Sequence, residues 1–197
     1  MRVIEQLLHD LTAARIGTTH NQYRGAGGAQ RLANLRHYLA QREAADVVAL
    51  GEAAGYQGMR WSGIAFTSER DLARWGAPFA ATSDRPRGWS EPSGTIVHRV
   101  LDRLGAERRV VLWNTVPHHP HAAGIPLSNR RPTADEVAAG APFAERLLEV
   151  LQPRLVVAVG RVAESVLGDR ATYVRHPANG GATAFGEGFA ALLAELG

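Results

Sequence analysis

The chain has 197 residues, 45% of them hydrophobic, with a formal net charge of +3 and a pI near 9.9. That length suits one domain (1–197) with a real core, and no apolar run approaches the ~20 residues of a membrane span. Cysteine is absent, which excludes disulfides, thiol nucleophiles, iron–sulfur clusters and cysteine zinc sites, and all 22 basic residues are arginine, which excludes a lysine Schiff base and a P-loop lysine.

Residues 4–14 have helical spacing (Ile4, Leu7, Leu8, Leu11). Residues 17–29 form a polar, glycine-bearing loop, and 31–42 a second helix with Leu32, Leu35 and Leu39 on one face. The first strand spans 46–50 and empties into a glycine-rich loop, 51–66, that carries Glu52 and Phe66. Glycines at 51, 55, 58 and 63 are expected to let backbone N–H groups approach a ligand. A short helix follows at 69–75, then an irregular stretch at 78–92. Ser93 is expected to cap a helix reaching Leu104. The second strand is 109–113. A long loop with four prolines and three histidines covers 114–132, and Thr133 and Glu136 form a capping-box pattern that opens a helix to Leu151. The third strand, 155–159, turns at Gly160 into a helix at 161–167. A fourth strand at 172–174, a loop at 176–181 and a final helix at 182–196 complete the chain.

Apolar strands alternating with helices imply an α/β fold, a three-layer α/β/α sandwich around a four-stranded parallel sheet. Open sheets of this kind bind ligands at the carboxyl ends of their strands. The loops after strands one, two and four are rich in Asn, His, Glu and Gly, and are expected to converge at one sheet edge.

Glu52 and Glu69 are the carboxylates nearest the first strand's end. Either can activate a water, or serve only the backbone, Glu52 by accepting loop N–H bonds and Glu69 by capping the next helix. Asn114 sets a donor beside an acceptor, matching the edge of a nucleobase, although Asn also closes turns. His118, His119 and His121 look metal-like. No second set with ligand spacing accompanies them and prolines interrupt them, so no metal is expected. His176 can donate a hydrogen bond to a developing anion or be structural. The early acid in Met1-Arg-Val-Ile-Glu-Gln and the missing signal-peptide core lead to the expectation of a soluble, cytoplasmic, monomeric protein. The basic balance leans toward a polyanionic partner.

The strand that runs into Gly51-Glu-Ala-Ala-Gly55 and closes with Gly63-Ile-Ala-Phe66 resembles the first motif of the uracil-DNA glycosylase superfamily, in its bacterial "GEAPG…G.PF" form. Leu112-Trp-Asn114 is similar to the strand whose terminal Asn reads the target base. Val157-Ala-Val-Gly160-Arg resembles the third strand and its turn, and Val174-Arg-His176-Pro177 the second signature motif. The four matches fall in order across residues 46–196.

The resemblance implies a DNA base-excision repair glycosylase that flips a damaged base, uracil by default, and hydrolyses its N-glycosidic bond. Phe66 would stack on the base, Asn114 would bond its edge, Gly51 and Ala53 would border it, and His176 would stabilise it as it leaves. Glu52 is the favoured water activator and Glu69 the rival. Asn179 and Gly180 would lie in the minor-groove loop; Arg24, Arg60, Arg130, Arg131 and Arg175, in or beside the candidate loops, are read either as grips on the phosphates or, for at least half of them, as solvated surface charges. No cofactor is implied. Departures are the missing cluster cysteines, Ala54 in place of the motif's proline, and a glycine-rich 178–181 in place of a serine and bulkier wedge. Without lysine no lysine-linked intermediate forms, so the expected enzyme is monofunctional. Loop 17–29 is read either as a contact to the flipped base or as a plain surface loop. Two other readings remain beside the enzyme: a non-catalytic lesion-binding relative, and a nucleoside or nucleotide hydrolase.

Overall fold

The computed structural model describes residues 2–197. Helices α1 (Arg2–Ala13) and α2 (Gly28–Ala40) precede β1 (Val47–Ala53). Three helices, α3 (Met59–Ser62), α4 (Glu69–Trp75) and α5 (Pro92–Arg103), lead to β2 (Val110–Val116). Helix α6 (Ala134–Leu151), β3 (Leu155–Val159), α7 (Arg161–Leu167), β4 (Thr172–Val174) and α8 (Ala182–Leu196) follow. The sheet is wholly parallel, in the order β2-β1-β3-β4, and is flanked by helices as expected.

The strands form where they do because burial on both faces rewards continuous apolar runs. Val47–Leu50 and Val110–Val111 are fully enclosed, as are Val157 and Ala158. The outer edge of β2 is covered by α2. Tyr38 accepts a hydrogen bond from the Leu112 N–H at 2.8 Å and donates to the Val110 carbonyl at 3.4 Å, which occupies backbone groups an edge strand would leave open. Gly140 lets α6 lie close on the sheet, because a Cβ there would sit 2.6 Å from the Thr115 carbonyl oxygen.

From β2 the chain returns to the other side of β1, so the order reverses between β1 and β3. That switch point opens a crevice beyond their carboxyl ends. Two strands run further than their apolar cores: β1 continues through Gly51, Glu52 and Ala53, and β2 through Asn114 to Val116. Gly51 pairs with Asn114 and Ala53 with Val116, so ladder pairing carries the motif residues out to the crevice. The start of α5 also differs from the expectation. Glu91, not Ser93, is its N-cap residue, because Pro92 takes the first helical position, where its missing N–H costs nothing. Among the described residues no helix is long and apolar enough to cross a membrane.

Candidate active site

Beyond the carboxyl ends of the strands lies an open cavity of about 260 Å³, bordered by Glu52, Ala53, Phe66, Asn114 and His176 among others. The register explains the first contact. Gly51 stands opposite Asn114, and a Cβ on it would lie 2.4 Å from Phe66 Cζ and 2.7 Å from Asn114 Oδ1. The bare backbone thus makes room for an aromatic ring and an amide side by side. Phe66 holds this place at φ 52°, a left-handed conformation costing a non-glycine residue about 1–2 kcal/mol. Such strain collects where function requires it. Asn114 is buried on β2, and among the described residues its Nδ2 reaches only the sulfur of Met59, at 3.2 Å, a weak acceptor.

His176 follows β4, its ring centroid 5.9 Å from that of Phe66. The Ala178 N–H donates to His176 Nδ1 at 3.1 Å. Nδ1 therefore carries no proton and Nε2 does, which makes the neutral ring a donor through Nε2. Burial, with Arg175 adding to it, lowers the imidazole below its ordinary range and keeps it neutral. Glu52 is half-buried. Burial raises its carboxyl and the Arg131 charge opposes that rise. Glu52 also borders an adjoining cleft lined by Arg161, Arg175 and Asn179, which links the cavity to an arginine-bearing surface.

Glu69 is elsewhere. It is 1% exposed and accepts from the backbone N–H groups of Thr82 (2.7 Å), Ser83 (2.8 Å) and Trp89 (3.1 Å), and from the Ser83 hydroxyl. Those bonds tie down the irregular stretch before α5 and occupy the carboxylate, and Glu69 does not border the cavity. In loop 17–29 several side chains are likewise spent on scaffolding. Gln22 donates to the Pro117 carbonyl at 2.7 Å, and Tyr23 donates to that of Gly63 at 2.7 Å. Asn21 and Arg24 spend their donors on the last carbonyls of α1, Asn21 reaching Leu11 and Thr12 at 3.1 Å and Arg24 Nε reaching Thr12 at 2.6 Å. Arg24 is therefore a helix cap.

The remaining arginines divide. Arg130 borders the cavity but its guanidinium is spent on Glu136 (2.6 and 2.7 Å), Thr18 and the His121 carbonyl. Arg60 is half-buried beside Trp61, with Nε and Nη1 enclosed and unpartnered among the described residues, so it does not present an open fork. Arg131 and Arg175 are exposed, as are Asn179 (φ 52°) and Gly180 (φ 77°) at the tip of the loop after His176. Trp61 and Trp89 stack at 5.7 Å, with Arg85 4.0 Å over the Trp89 ring, and form a basic aromatic shelf next to the glycine-rich loop. His118 and His119 face the Leu11 and Ala54 carbonyls at 3.1 and 2.8 Å, which accounts for their burial.

The glycines of the loop also differ from the expectation. A Cβ on Gly63 would fall 2.3 Å from the Arg31 carbonyl oxygen, and one on Gly58 would fall 1.9 Å from Glu91 Oε2. They admit other parts of this chain, and of Gly55, Gly58 and Gly63 only Gly55 borders the cavity. Sequence reasoning missed Glu91, Ser93 and Asn129 as lining residues. The readable signal for Glu91 was its place before Pro92, since a residue before a helix-opening proline is an N-cap candidate.

An aromatic floor, an amide at a strand's end and a neutral imidazole around one cleft of a parallel α/β sheet define a protein built to hold a planar, hydrogen-bonding ring such as a nucleobase. The chain belongs to the uracil DNA glycosylase superfamily, whose family model matches residues 39–192. It is accordingly a DNA glycosylase, a hydrolase of base-excision repair whose partner is DNA. In fold it is similar to the crystal structure of wild-type Pedobacter heparinus SMUG2, with a TM-score of 0.73 over 99% of this chain and 97% of that one, at 14% identity. Among curated proteins no match is found.

Proposed function

We propose that this chain excises a deaminated base, uracil foremost, by a monofunctional route that leaves an abasic site. The observation that carries the reading is the convergence of Phe66, Asn114, His176 and Glu52 on one cavity from three separate loops and strands. The target nucleotide leaves the stack, costing a few kcal/mol and least for a mispaired or single-stranded base. The small, exposed Asn179-Gly180 tip offers little wedge, which favours such weakened sites.

In the cavity the base stacks on Phe66 and the Asn114 amide pairs with its edge. The C1′–N bond breaks and its electron pair goes to the base. The sugar becomes oxocarbenium-like and the base anionic. His176 Nε2–H donates a hydrogen bond to that anion, and the Glu52 carboxylate faces the cation. Water attacks C1′, its oxygen forming the new bond while Glu52 takes its proton and later returns it to solvent. The free base takes its own proton from solvent. With no lysine in the chain, no lysine imine to the sugar forms and the strand stays intact.

The test is an excision assay on oligonucleotides bearing uracil, hypoxanthine, xanthine or an alkylated base, single-stranded and opposite each normal base, with alkali to reveal abasic sites. Release of uracil that Asn114→Ala abolishes is the expected result. Silence on every substrate, or a nick at neutral pH without alkali, overturns the proposal.

A further inference from the structure

A second carboxyl borders the cavity, and nothing in the scheme above uses it. Glu91 stands at the N-cap position of α5, where its side chain makes no capping hydrogen bond, and lines the cavity with Glu52, Asn114 and His176. Its side chain lies in a slot cut by three glycines. A Cβ would stand 1.9 Å from Oε2 if placed on Gly58, 3.3 Å from Oε2 on Gly94, and 3.1 Å from Oε1 on Gly55. Oε2 is fully enclosed and has no hydrogen-bond partner among the described residues. An ionised carboxylate left in that condition is expensive, because each enclosed oxygen needs a donor. The neutral acid lowers that cost, with Oε2 as its carbonyl oxygen and the O–H carried on Oε1, the oxygen that is not enclosed.

The groups around it point the same way. Burial first, then the charge of Asp71 on α4, pushes the Glu91 carboxyl up to about 7, while His98 two turns along α5 pulls it back. On the cavity side stand Glu52 and His176, and Arg130 is already neutralised by Glu136. Two carboxyls in environments that separate their protonation take different parts in one reaction. Glu52 has Arg131 to favour its ionised form, and among the described residues no cation is bonded to Glu91.

Resting on the glycosylase reading, we propose that Glu91 is a further catalytic residue, a neutral carboxylic acid that donates a hydrogen bond to the departing base. The chemistry matches the charge flow. The leaving base gains negative charge, which a second carboxylate would repel and a carboxylic O–H stabilises alongside His176. No proton need transfer. The donor also suits bases with a ring carbonyl, the group that deamination creates.

The experiment compares wild type, Glu91→Gln and Glu91→Leu in single-turnover excision from pH 6.5 to 8.5. Glutamine keeps a donor that does not titrate. We expect wild type to lose about tenfold or more across that range as Glu91 ionises, and Glu91→Gln to stay flat and within a few-fold of wild type at pH 6.5. Glu91→Leu should lose about 100-fold in kcat with little change in KM, the usual cost of removing one such donor. Infrared difference spectra, wild type minus Glu91→Gln, supply a readout free of activity: a carboxylic-acid C=O band present at pH 6.5 and gone at pH 8.5. Coincident pH profiles overturn the proposal, as does the absence of that band, even if Glu91→Leu fails to fold. Were wild type to excise nothing, the glycosylase reading would fall, and the catalytic role of Glu91 with it. The band would still report the state of the acid. If Asn114→Ala abolishes excision while Glu91→Gln follows wild type at every pH, only the inference about Glu91 falls.

Discussion

Gly51→Ala tests whether the cavity is built by register and close approach. The added methyl would lie 2.4 Å from Phe66 Cζ, 2.7 Å from Phe66 Cε2 and 2.7 Å from Asn114 Oδ1. All are well inside van der Waals contact. Gly51 is within β1, paired to β2, so its backbone does not yield. The ring and the amide must move, by about an ångström. Overpacking of this kind costs about 1–3 kcal/mol, which for a chain of this size lowers Tm by about 2–10 °C. If Phe66 and Asn114 hold the base as proposed, displacing them by that distance should lower single-turnover excision about 100-fold. Pairing the change with Phe66→Leu relieves the ring clash. The double variant should recover much of the lost Tm yet stay slow, because the stacking surface is gone; neighbours of this kind are not additive. Excision and thermal melts on the four proteins of the cycle give both quantities. A Gly51→Ala enzyme with wild-type rate and Tm would refute the packing argument.

Three further predictions follow from the placement of charge. Arg130→Ala leaves the 2%-exposed Glu136 without its partner and should cost about 2 kcal/mol in urea unfolding, discounted because Arg130 itself is a quarter exposed. Arg131→Ala should leave stability within about 0.5 kcal/mol and flatten the salt dependence of DNA binding by about one counterion; equal stabilities for the two variants would contradict the assignment. Glu52→Gln should slow excision about 100-fold or more at unchanged Tm, whereas Glu69→Gln should lower Tm and leave the rate of the folded enzyme within a few-fold, and the reverse pattern would restore Glu69 as the water activator. Finally, His118 and His119 are held to about 4 by burial, and Glu136 to about 2 by Arg130. Below about 6.5 these two histidines bind more protons unfolded than native, so their contribution to stability falls from there to about 4, while the raised Glu91 contributes in the opposite sense between about 7 and 4.5. From about 4.5 to 2 stability falls through Glu136, whose contribution is present above that window. Denaturant midpoints at pH 7 and pH 5 that coincide in Glu91→Gln, where the opposing Glu91 titration is removed, would exclude the histidine part.

How much of this was readable differs by element. Val47–Leu50, Val110–Trp113 and Leu155–Val159 announce strands because full burial demands unbroken apolar runs, and Thr133 with Glu136 marks a helix start. Those signals span a few residues and survive any tertiary context. Gly51, Phe66, Asn114 and His176 were legible as motif positions for the same reason. The tertiary structure alone decided which carboxyl meets them. Glu69 is three residues from Phe66 yet turns away to hold residues 82–89, while Glu91, 25 positions from Phe66, borders the same cavity. The loop glycines read as openings for a ligand and proved to be slots for Glu91, Phe66 and the Arg31 carbonyl. Loop 17–29 read either as a contact to the flipped base or as a plain surface loop, and two of its side chains, Gln22 and Tyr23, turn inward to brace the Pro117 and Gly63 carbonyls. Local pattern encodes periodicity and caps, because the physics behind them acts within one turn or one strand. A cavity is assembled from residues 52, 91, 114 and 176, and only the packing of whole elements determines which polar groups are spent on the backbone and which are left to face a substrate.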